Sequence, residues 1–430
     1  MLNQVLFLIK NSRAISILSF ILIFGFLNSS YASNTVVNDT IGFNQYKGKV
    51  VDSKSKKALV FASLTVSETN ISTITNTQGD FLLKVPKKFS NQSVIISFLG
   101  YTSQVINLAD FKNTDNLIKL ETHIEQLSEV HISIKDAQSL VLEVLKRKGD
   151  NYFNEPINMT AFHRETIKKR RTYVSLSEAV VKINKQPYTS FKNDLLKLHK
   201  ARKSTDYTKL DTIALKLKGG PFSTLFLDII KNPTLFLTDE IAENYDFAFD
   251  ASTKIDNRPI YVVNFKQKRH IQDPLYYGKL YIDAQTLALT SAKFELNLDD
   301  KQKASRLFII RKPRTASVIP TEAVYQVDYR LKDGKWFFSY SRIQLTFKIK
   351  YDKKLFNSTY NTTIEMAITD WEKNVNKEFF KPKERLRSSV ILSDKASGFS
   401  DPEFWGEFNV IEPEKSIEIA IRKIQKQLVK

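Results

Sequence analysis

The sequence predicts a mainly β protein: a small seven-stranded sandwich followed by a larger, curled antiparallel sheet with a few helices. Three observations predict it. Aromatic residues make up 12% of the 430 residues, with 30 Phe and 17 Tyr, and such residues favour strands. From residue 46 to 121 about seven short apolar stretches alternate with turn residues, which is sandwich spacing. Beyond residue 155 the apolar stretches lengthen to about ten residues or more and are joined by short turns, so they form an antiparallel meander that must curl.

Composition bounds the rest. The chain is 42% hydrophobic and 26% charged, which is globular rather than disordered. Its length holds two or three domains. It contains no cysteine. That excludes disulfides, thiol catalysis, Cys–zinc sites and a lipid-modified N-terminal Cys. The formal charge is +19. Such a surface is either a solvated Lys-rich one or one that suits an acidic partner. No nucleic-acid motif accompanies it, so no nucleic acid is expected.

Residues 1–32 read as a signal peptide. Lys10 and Arg13 form a positive start, Ala14 to Leu27 is apolar, and Ser30 and Ala32 have the small-residue spacing of a cleavage site. The apolar run is short for a membrane-spanning helix, which needs about 20 residues. Cleavage after Ala32 is the expectation, and retention as an anchor is the alternative. Either way the chain is expected to be exported, to the periplasm or the periplasmic face of the outer membrane.

Residues 46–121 carry the first domain. Val50 and Val51 lead into the turn Asp52–Lys57. Leu59–Val66 and Thr73–Thr75 follow, then the Gly-based turn Asn76–Asp80. Phe81–Pro86, Val94–Tyr101, Gln104–Leu108 and Leu117–Leu120 complete the set. Gly48-Lys49-Val50-Val51-Asp52, Phe61-Ala62-Ser63-Leu64, Asn76-Thr77-Gln78-Gly79-Asp80-Phe81 and Ser97-Phe98-Leu99-Gly100-Tyr101 stand in the order of a known family. They resemble the carboxypeptidase-regulatory-like domain, a prealbumin-like sandwich common in envelope proteins of Bacteroidetes-type bacteria. One departure is Leu59-Val60, where the family often has a proline, and an altered turn is expected there. Leu127-Ser128-Glu129-Val130 resembles the segment after this domain in TonB-dependent receptors. No plug or barrel of about 22 strands follows it, so the resemblance stops short of a receptor. In metallocarboxypeptidases the sandwich is a non-catalytic appendage. None of His123, His131, His163, His199 and His270 has the His-x-x-Glu or His-Glu-x-x-His spacing of a zinc peptidase.

A linker helix is expected within 134–153, with Ala137, Leu140, Val141, Val144 and Leu145 on one face. An antiparallel β-rich domain then spans 155–375. Its strands are expected from Met159 onward, at Tyr173–Ile183, Ile260–Phe265, Leu275–Ile282, Leu287–Leu298, Arg306–Ile310, Ala323–Leu331, Trp336–Tyr351 and Thr362–Trp371. A helix is expected at Pro221–Ile230. Asp333-Gly334 is the strongest turn, because both residues tolerate positive φ. Tyr277–Asp283, with the apolar strand after it, resembles the half-barrel of periplasmic lipoprotein carriers. Ala161–Glu165 and Lys279–Phe294 resemble a family of Bacteroidetes envelope proteins, a likeness that implies no activity. Residues 376–430 form a polar linker and a final amphipathic helix behind Glu412-Pro413-Glu414, with Ile417, Ile421, Ile424 and Leu428 on one face. Glu403-Phe404-Trp405-Gly406 is expected to act as an aromatic clasp.

No catalytic, cofactor or metal site is assigned. His163-Arg164-Glu165 is the most site-like cluster, since a strand puts His163 and Glu165 on one face. One His and one carboxylate do not make a metal site, and a structural ion pair is the expectation. Lys168–Arg171 and Lys197–Lys203 are basic runs, either solvated or a patch for lipid phosphates. Asp299-Asp300 reads as a turn. Gly219-Gly220-Pro221 lacks the residues of a phosphate loop. The expected function is therefore a non-enzymatic cell-envelope protein. It would bind a lipid-like ligand or an outer-membrane or periplasmic protein, with a peripheral contact to an anionic membrane surface. A structural adaptor of a TonB-linked complex is the alternative, and a hydrolase built on His163 a third.

Overall fold

A computed structural model describes residues 42–122, 136–205, 219–235, 237–255, 258–308, 315–352, 357–396 and 403–428. The signal segment 1–32, His123, His131 and Leu127–Val130 lie outside these residues. Phe43–Lys430 clusters as one unit.

Seven strands open the chain: β1 (Phe43–Asp52), β2 (Ser63–Val66), β3 (Ser72–Ile74), β4 (Asp80–Pro86), β5 (Ser93–Ser97), β6 (Gln104–Asn107) and β7 (Asn116–Leu120). They form two sheets, ordered β4-β1-β7 and β3-β2-β5-β6. Val50, Leu64, Phe81, Leu83, Val94 and Ile96 fill the space between them. Gly48 is required where β1 passes β7, because a Cβ there would sit 2.2 Å from the carbonyl oxygen of Asn116. At the Leu59-Val60 departure, only Ser63–Val66 of the expected strand is extended, and Phe61 turns through a left-handed conformation (φ 66°).

Helices α1 (Ala137–Lys146) and α2 (Lys148–Asn151) follow. Asp136 caps α1 by accepting from the Ser139 amide at 2.7 Å. Then come β8 (Ile157–Lys169), β9 (Thr172–Lys185), β10 (Leu195–Thr205), α3 (Pro221–Leu225), α4 (Asp239–Ala242), β11 (Tyr245–Ile255), β12 (Arg258–Gln267), β13 (Tyr276–Asp283), β14 (Leu289–Leu296), α5 (Lys301–Phe308), β15 (Ala316–Lys332), β16 (Lys335–Tyr351), β17 (Ser358–Lys373) and α6 (Lys415–Leu428). The ten strands make one open antiparallel sheet, ordered β10-β9-β8-β17-β16-β15-β14-β13-β12-β11. Register shifts interrupt six of its pairings, for example at Asp328/Tyr329 and Ile368/Asp370, and such bulges add bend and twist. The turn Asp333-Gly334 has φ of 51° and 74°, as its residues predict.

Two expectations are corrected. Arg306–Phe308, expected to start a strand, are helical instead: Lys301–Phe308 is α5, and Ile309 and Ile310 lie outside the described residues. Asp300 accepts from the Gln302 and Lys303 amides, and Lys, Gln, Ala, Arg and Leu behind that cap are good helix formers. The helix at Pro221 also stops at Leu225 rather than running to Ile230. Asp228 is drawn into the core by Lys185, 2.7 Å away, and the chain continues in tight turns. β10 and β11, the two edge strands, went unassigned in the sequence.

The sheet has two differently occupied faces. Its inner face carries one continuous core that runs from Leu196 on β10 to Tyr245 on β11 and takes in α1, Leu225–Ile230 and Leu237. On the outer face Phe162, Val180, Tyr340 and Ala367 pack against Ile74 and Leu82 of the sandwich and against Trp405, Val410 and Ile411. The sandwich is therefore docked on the back of the sheet.

Candidate functional site

The inner face is closed by the protein's own side chains. Strand alternation along β8 puts His163 and Glu165 there together, with His163 Nε2 3.2 Å from Glu165 Oε1. Thr224 of α3 lies 3.4 Å from His163 Nδ1, and His163 has no exposed surface. His163 and Glu165 thus stand within hydrogen-bond reach of each other on one face of β8. Deeper in, Lys185 Nζ reaches Asp194 at 2.6 Å and Asp228 at 2.7 Å, while Tyr329 donates to Asp228 at 2.8 Å. Burial, then the Asp228 charge, push the Tyr152, Tyr188 and Tyr329 hydroxyls well above the usual tyrosine range. This network fixes the segment 221–231 over the inner face.

The outer face carries a second ionic network. Arg164 donates to Glu178 at 2.7 Å and to the Ile411 carbonyl at 2.6 Å. Glu365 stands 3.6 Å from Arg164 and 3.5 Å from Arg342. Burial opposes the Arg164 cation, but Glu178 and Glu365 outweigh it and hold its proton more tightly than usual. Arg330 donates to Ser63 of the sandwich at 2.7 Å. Asn409 clamps the edge of β4, accepting from the Lys84 amide at 2.7 Å and donating to the Lys84 carbonyl at 2.9 Å.

Where the sandwich overhangs the sheet beyond these contacts, a cleft of about 470 Å³ remains. Phe61, Ile74, Phe98 and Leu99 form its apolar wall, and the sheet supplies a polar floor that includes Tyr281, Ser291, Gln326, Asp328 and Tyr340. The register explains the floor. Phe162, Ala367, Tyr340, Asp328, Ser291 and Tyr281 form one cross-strand row. The row is apolar under the sandwich and becomes small and polar beyond it. Asp328 accepts from Ser291 at 2.5 Å and Gln326 at 2.6 Å, and burial raises its proton affinity against those bonds. Lys279 and Lys293 are register partners at the exposed side. Lys279 bonds Asp250 at 2.6 Å and so holds the Asp250 carboxyl down at about 2. The buried Trp336 Nε1, also of the lining, has no hydrogen-bond partner.

The basic runs and turns of the sequence make local contacts. Lys168 and Lys169 lie over the Tyr173 and Tyr360 rings at 4.3 and 5.6 Å. The Lys197–Lys203 run holds the C-terminal segment: Lys197 pairs with Glu384, Lys200 donates to the Phe404 carbonyl and Lys203 to that of Ser393. Asp299-Asp300 leads into α5. Gly219 and Gly220, both at positive φ, form the turn before α3. Trp405 is the clasp, set edge-on to Phe162 at 5.5 Å with Arg202 over it at 4.8 Å. Ile417 and Ile421 dock α6 on Tyr173 and Leu176. The cleft itself was not read from sequence. Its only signal was the polar alternation along β13–β15, which looks the same as a solvated sheet face.

Residues 46–132 match the model of the CarboxypepD_reg-like domain, so the sandwich is a carboxypeptidase-regulatory-like domain. No curated protein matches the chain. Among solved structures, a DUF1329 family protein from Desulfovibrio piger is 11% identical, covers 58% of this chain and 99% of its own, and gives a TM-score of 0.25. A LolA superfamily protein from Nitrosomonas europaea is 11% identical with the same coverage and a TM-score of 0.21. MucB in complex with MucA is 10% identical, covers 55% of this chain and 99% of its own, and gives a TM-score of 0.17. Likeness at these scores transfers no function.

Proposed function

We propose that the protein is a non-enzymatic binding module of the cell envelope that seats a lipid-like, anionic amphiphile in the cleft between sandwich and sheet. The cleft carries this reading. Its volume lies in the range of ligand sites, about 300–1,000 Å³. An apolar wall suits an acyl chain, and Lys279 and Lys293 beside it suit an acidic headgroup. The inner face, where a curled sheet would otherwise hold a ligand, is filled by 221–231 and α1. The hydrolase reading built on His163 has no route for substrate, since that imidazole is sealed under α3. Export follows from the leader-like residues 1–32. Among the described residues no helix is long and apolar enough to cross a membrane.

The test is native mass spectrometry of the exported chain, then titration with a fluorescent fatty acid. Ala251 is exposed and lines the cleft, so Ala251→Trp should block the cleft without disturbing the core. Both Ala251→Trp and Lys293→Glu should weaken binding about tenfold or more. Unchanged affinity in both variants would sink the proposal.

A protein ligand is favoured by one separate observation. Among the described residues β11 is an edge strand laddered with β12 alone; the Gly100 amide bonds its Lys254 carbonyl at 2.8 Å, but toward its start Phe249 is half-exposed, so an extended segment could add there. A proline at Ala248 would abolish such pairing and leave amphiphile binding intact.

A further inference from the structure

The large apolar side chains that the fold leaves in solvent are not scattered evenly. The two most exposed, Phe191 at 104% and Val375 at 81%, stand at one rim of the ten-stranded sheet. Ile157 is paired with Lys185 on one side and Lys373 on the other, so the loops after β9 and β17 emerge side by side. Phe379 joins them at 39% exposure, because the Phe380 amide donates to Asn184 Oδ1 at 2.9 Å.

These tips are held out by built supports. In the 186–194 loop Tyr188 is buried, and Lys231 Nζ donates to the Pro187 and Ser190 carbonyls at 2.7 and 2.5 Å. Asp194 accepts from the Gln186 amide at 2.7 Å and pairs with Lys185. In the 374–378 turn Asn374 donates to the Glu378 carbonyl at 2.7 Å and accepts from the Glu378 amide at 3.0 Å. The Asn374 amide in turn donates to the Pro156 carbonyl at 2.9 Å. Phe191 and Val375 are thus exposed on anchored turns, with Phe379 partly exposed beside them.

Lys192, Lys373, Lys377, Lys381 and Lys383 are exposed around them, against Glu155, Glu372 and Glu378. Among the described residues Lys373 has Glu155 at 3.6 Å, and Glu384, already paired with Lys197 at 2.6 Å, stands beside Lys381. We propose that this rim docks on the surface of a bilayer carrying anionic phospholipids, with Phe191, Val375 and Phe379 entering the headgroup boundary and the lysines facing the phosphates. Separate projecting tips match a soft phase. A protein partner would instead need a continuous patch with a desolvated centre. The inference goes beyond the cleft reading and stands whether or not the cleft holds a ligand.

The experiment is co-sedimentation of the exported chain with phosphatidylglycerol–phosphatidylethanolamine vesicles, with phosphatidylcholine vesicles as the neutral control. Binding is expected to the acidic vesicles and to weaken with salt. Phe191→Ser with Val375→Ser should weaken it about tenfold or more, and Lys377→Glu with Lys381→Glu should weaken it comparably. Arg170→Glu with Arg171→Glu, on the β8–β9 turn at the opposite rim, should leave it unchanged. All these positions are exposed, so folding is not at issue. No binding to acidic vesicles, equal binding by the serine variant, or loss of binding only in the Arg170/Arg171 variant would each overturn the proposal.

Discussion

Trp405→Ala removes the side chain that closes the C-terminal segment onto the back of the sheet. Trp405 is 5% exposed and packs on Phe162 at 5.5 Å, Phe404 at 4.7 Å and the Arg202 guanidinium at 4.8 Å. Its Nε1 has no hydrogen-bond partner, so no hydrogen bond is lost and packing sets the effect. Truncating a buried Trp costs about 3–5 kcal/mol. The loss should fall on the opening of 403–412 from β4 and the outer face, not on the ten-stranded core. At about 1.4 kcal/mol per tenfold, opening becomes about 2 to 3.5 orders of magnitude more frequent. Hydrogen–deuterium exchange reads this at the Lys84 amide, which donates to Asn409. That amide should exchange about a hundredfold faster or more, while the β15–β16 amides stay near their original rates. Equal acceleration in β15–β16 would place Trp405 in the main core and refute the reasoning. So would no acceleration at Lys84.

Other perturbations test the buried networks. Lys185→Met leaves Asp194 and Asp228 facing each other without their cation, and should cost about 3–5 kcal/mol in urea denaturation. A loss under about 1 kcal/mol would show that the ion pair is not what fixes 221–231. Gly278→Ala puts a Cβ 2.2 Å from the Lys293 carbonyl oxygen and 2.6 Å from Phe294 Cα. β13 and β14 would have to separate, so an unchanged urea midpoint would contradict their register. Stability should also depend on alkaline pH. Burial holds Lys84 and Lys231 at about 8, below the ordinary 10.5. Between these values the unfolded chain binds more protons, so stability rises with pH there. The hydroxyls of Tyr152, Tyr188, Tyr329 and Tyr340 are raised well above 10. Above about pH 10 only the unfolded chain loses those protons, and stability falls. The denaturation midpoint should therefore rise from pH 8 toward 10 and drop beyond it, and a steady fall from pH 8 would refute the assignment.

Much of the fold was legible because local signals were strong. Alternation, Gly turns and the Asp333-Gly334 hairpin located most strands, and the motifs from Gly48 to Tyr101 identified the sandwich. The errors have physical sources. β10 reads Leu-Leu-Lys-Leu-His-Lys-Ala-Arg-Lys, a run whose charges looked solvated, yet those cations reach Glu384, Glu178 and the carbonyls of Phe404 and Ser393. Glu178 lies 24 residues from Arg202 on the neighbouring strand, but the other partners lie 187, 190 and 204 residues away and leave no local trace. α5 was misread although Asp300 before Lys-Gln-Lys-Ala is a recognisable cap. His163 and Glu165 were correctly paired, because strand alternation alone decides that. The cleft was invisible, since it is set by where the sandwich lands.

That landing is decided by the cross-strand row on the outer face. From Phe162 through Ala367 to Tyr340 the row offers apolar surface, and the sandwich covers it with Ile74, Leu82 and Phe61, the last stacked on Tyr340 at 5.0 Å. Hydrophobic contact alone would let the sandwich slide along such a strip. The charges prevent it. Arg330 of β15 donates to Ser63 of the sandwich, and Arg164, between Glu178 and Glu365, holds the Ile411 carbonyl of the C-terminal segment packed beside it. A displaced sandwich would break the first of these bonds and strip Ile74 and Leu82 from the row. The row then turns to Asp328, Ser291 and Tyr281, where an apolar sandwich face gains nothing by descending. The overhang at that boundary is the cleft. Its existence thus follows from a change of residue type along one row, and replacing Asp328 and Ser291 with Leu should let the sandwich settle and close it.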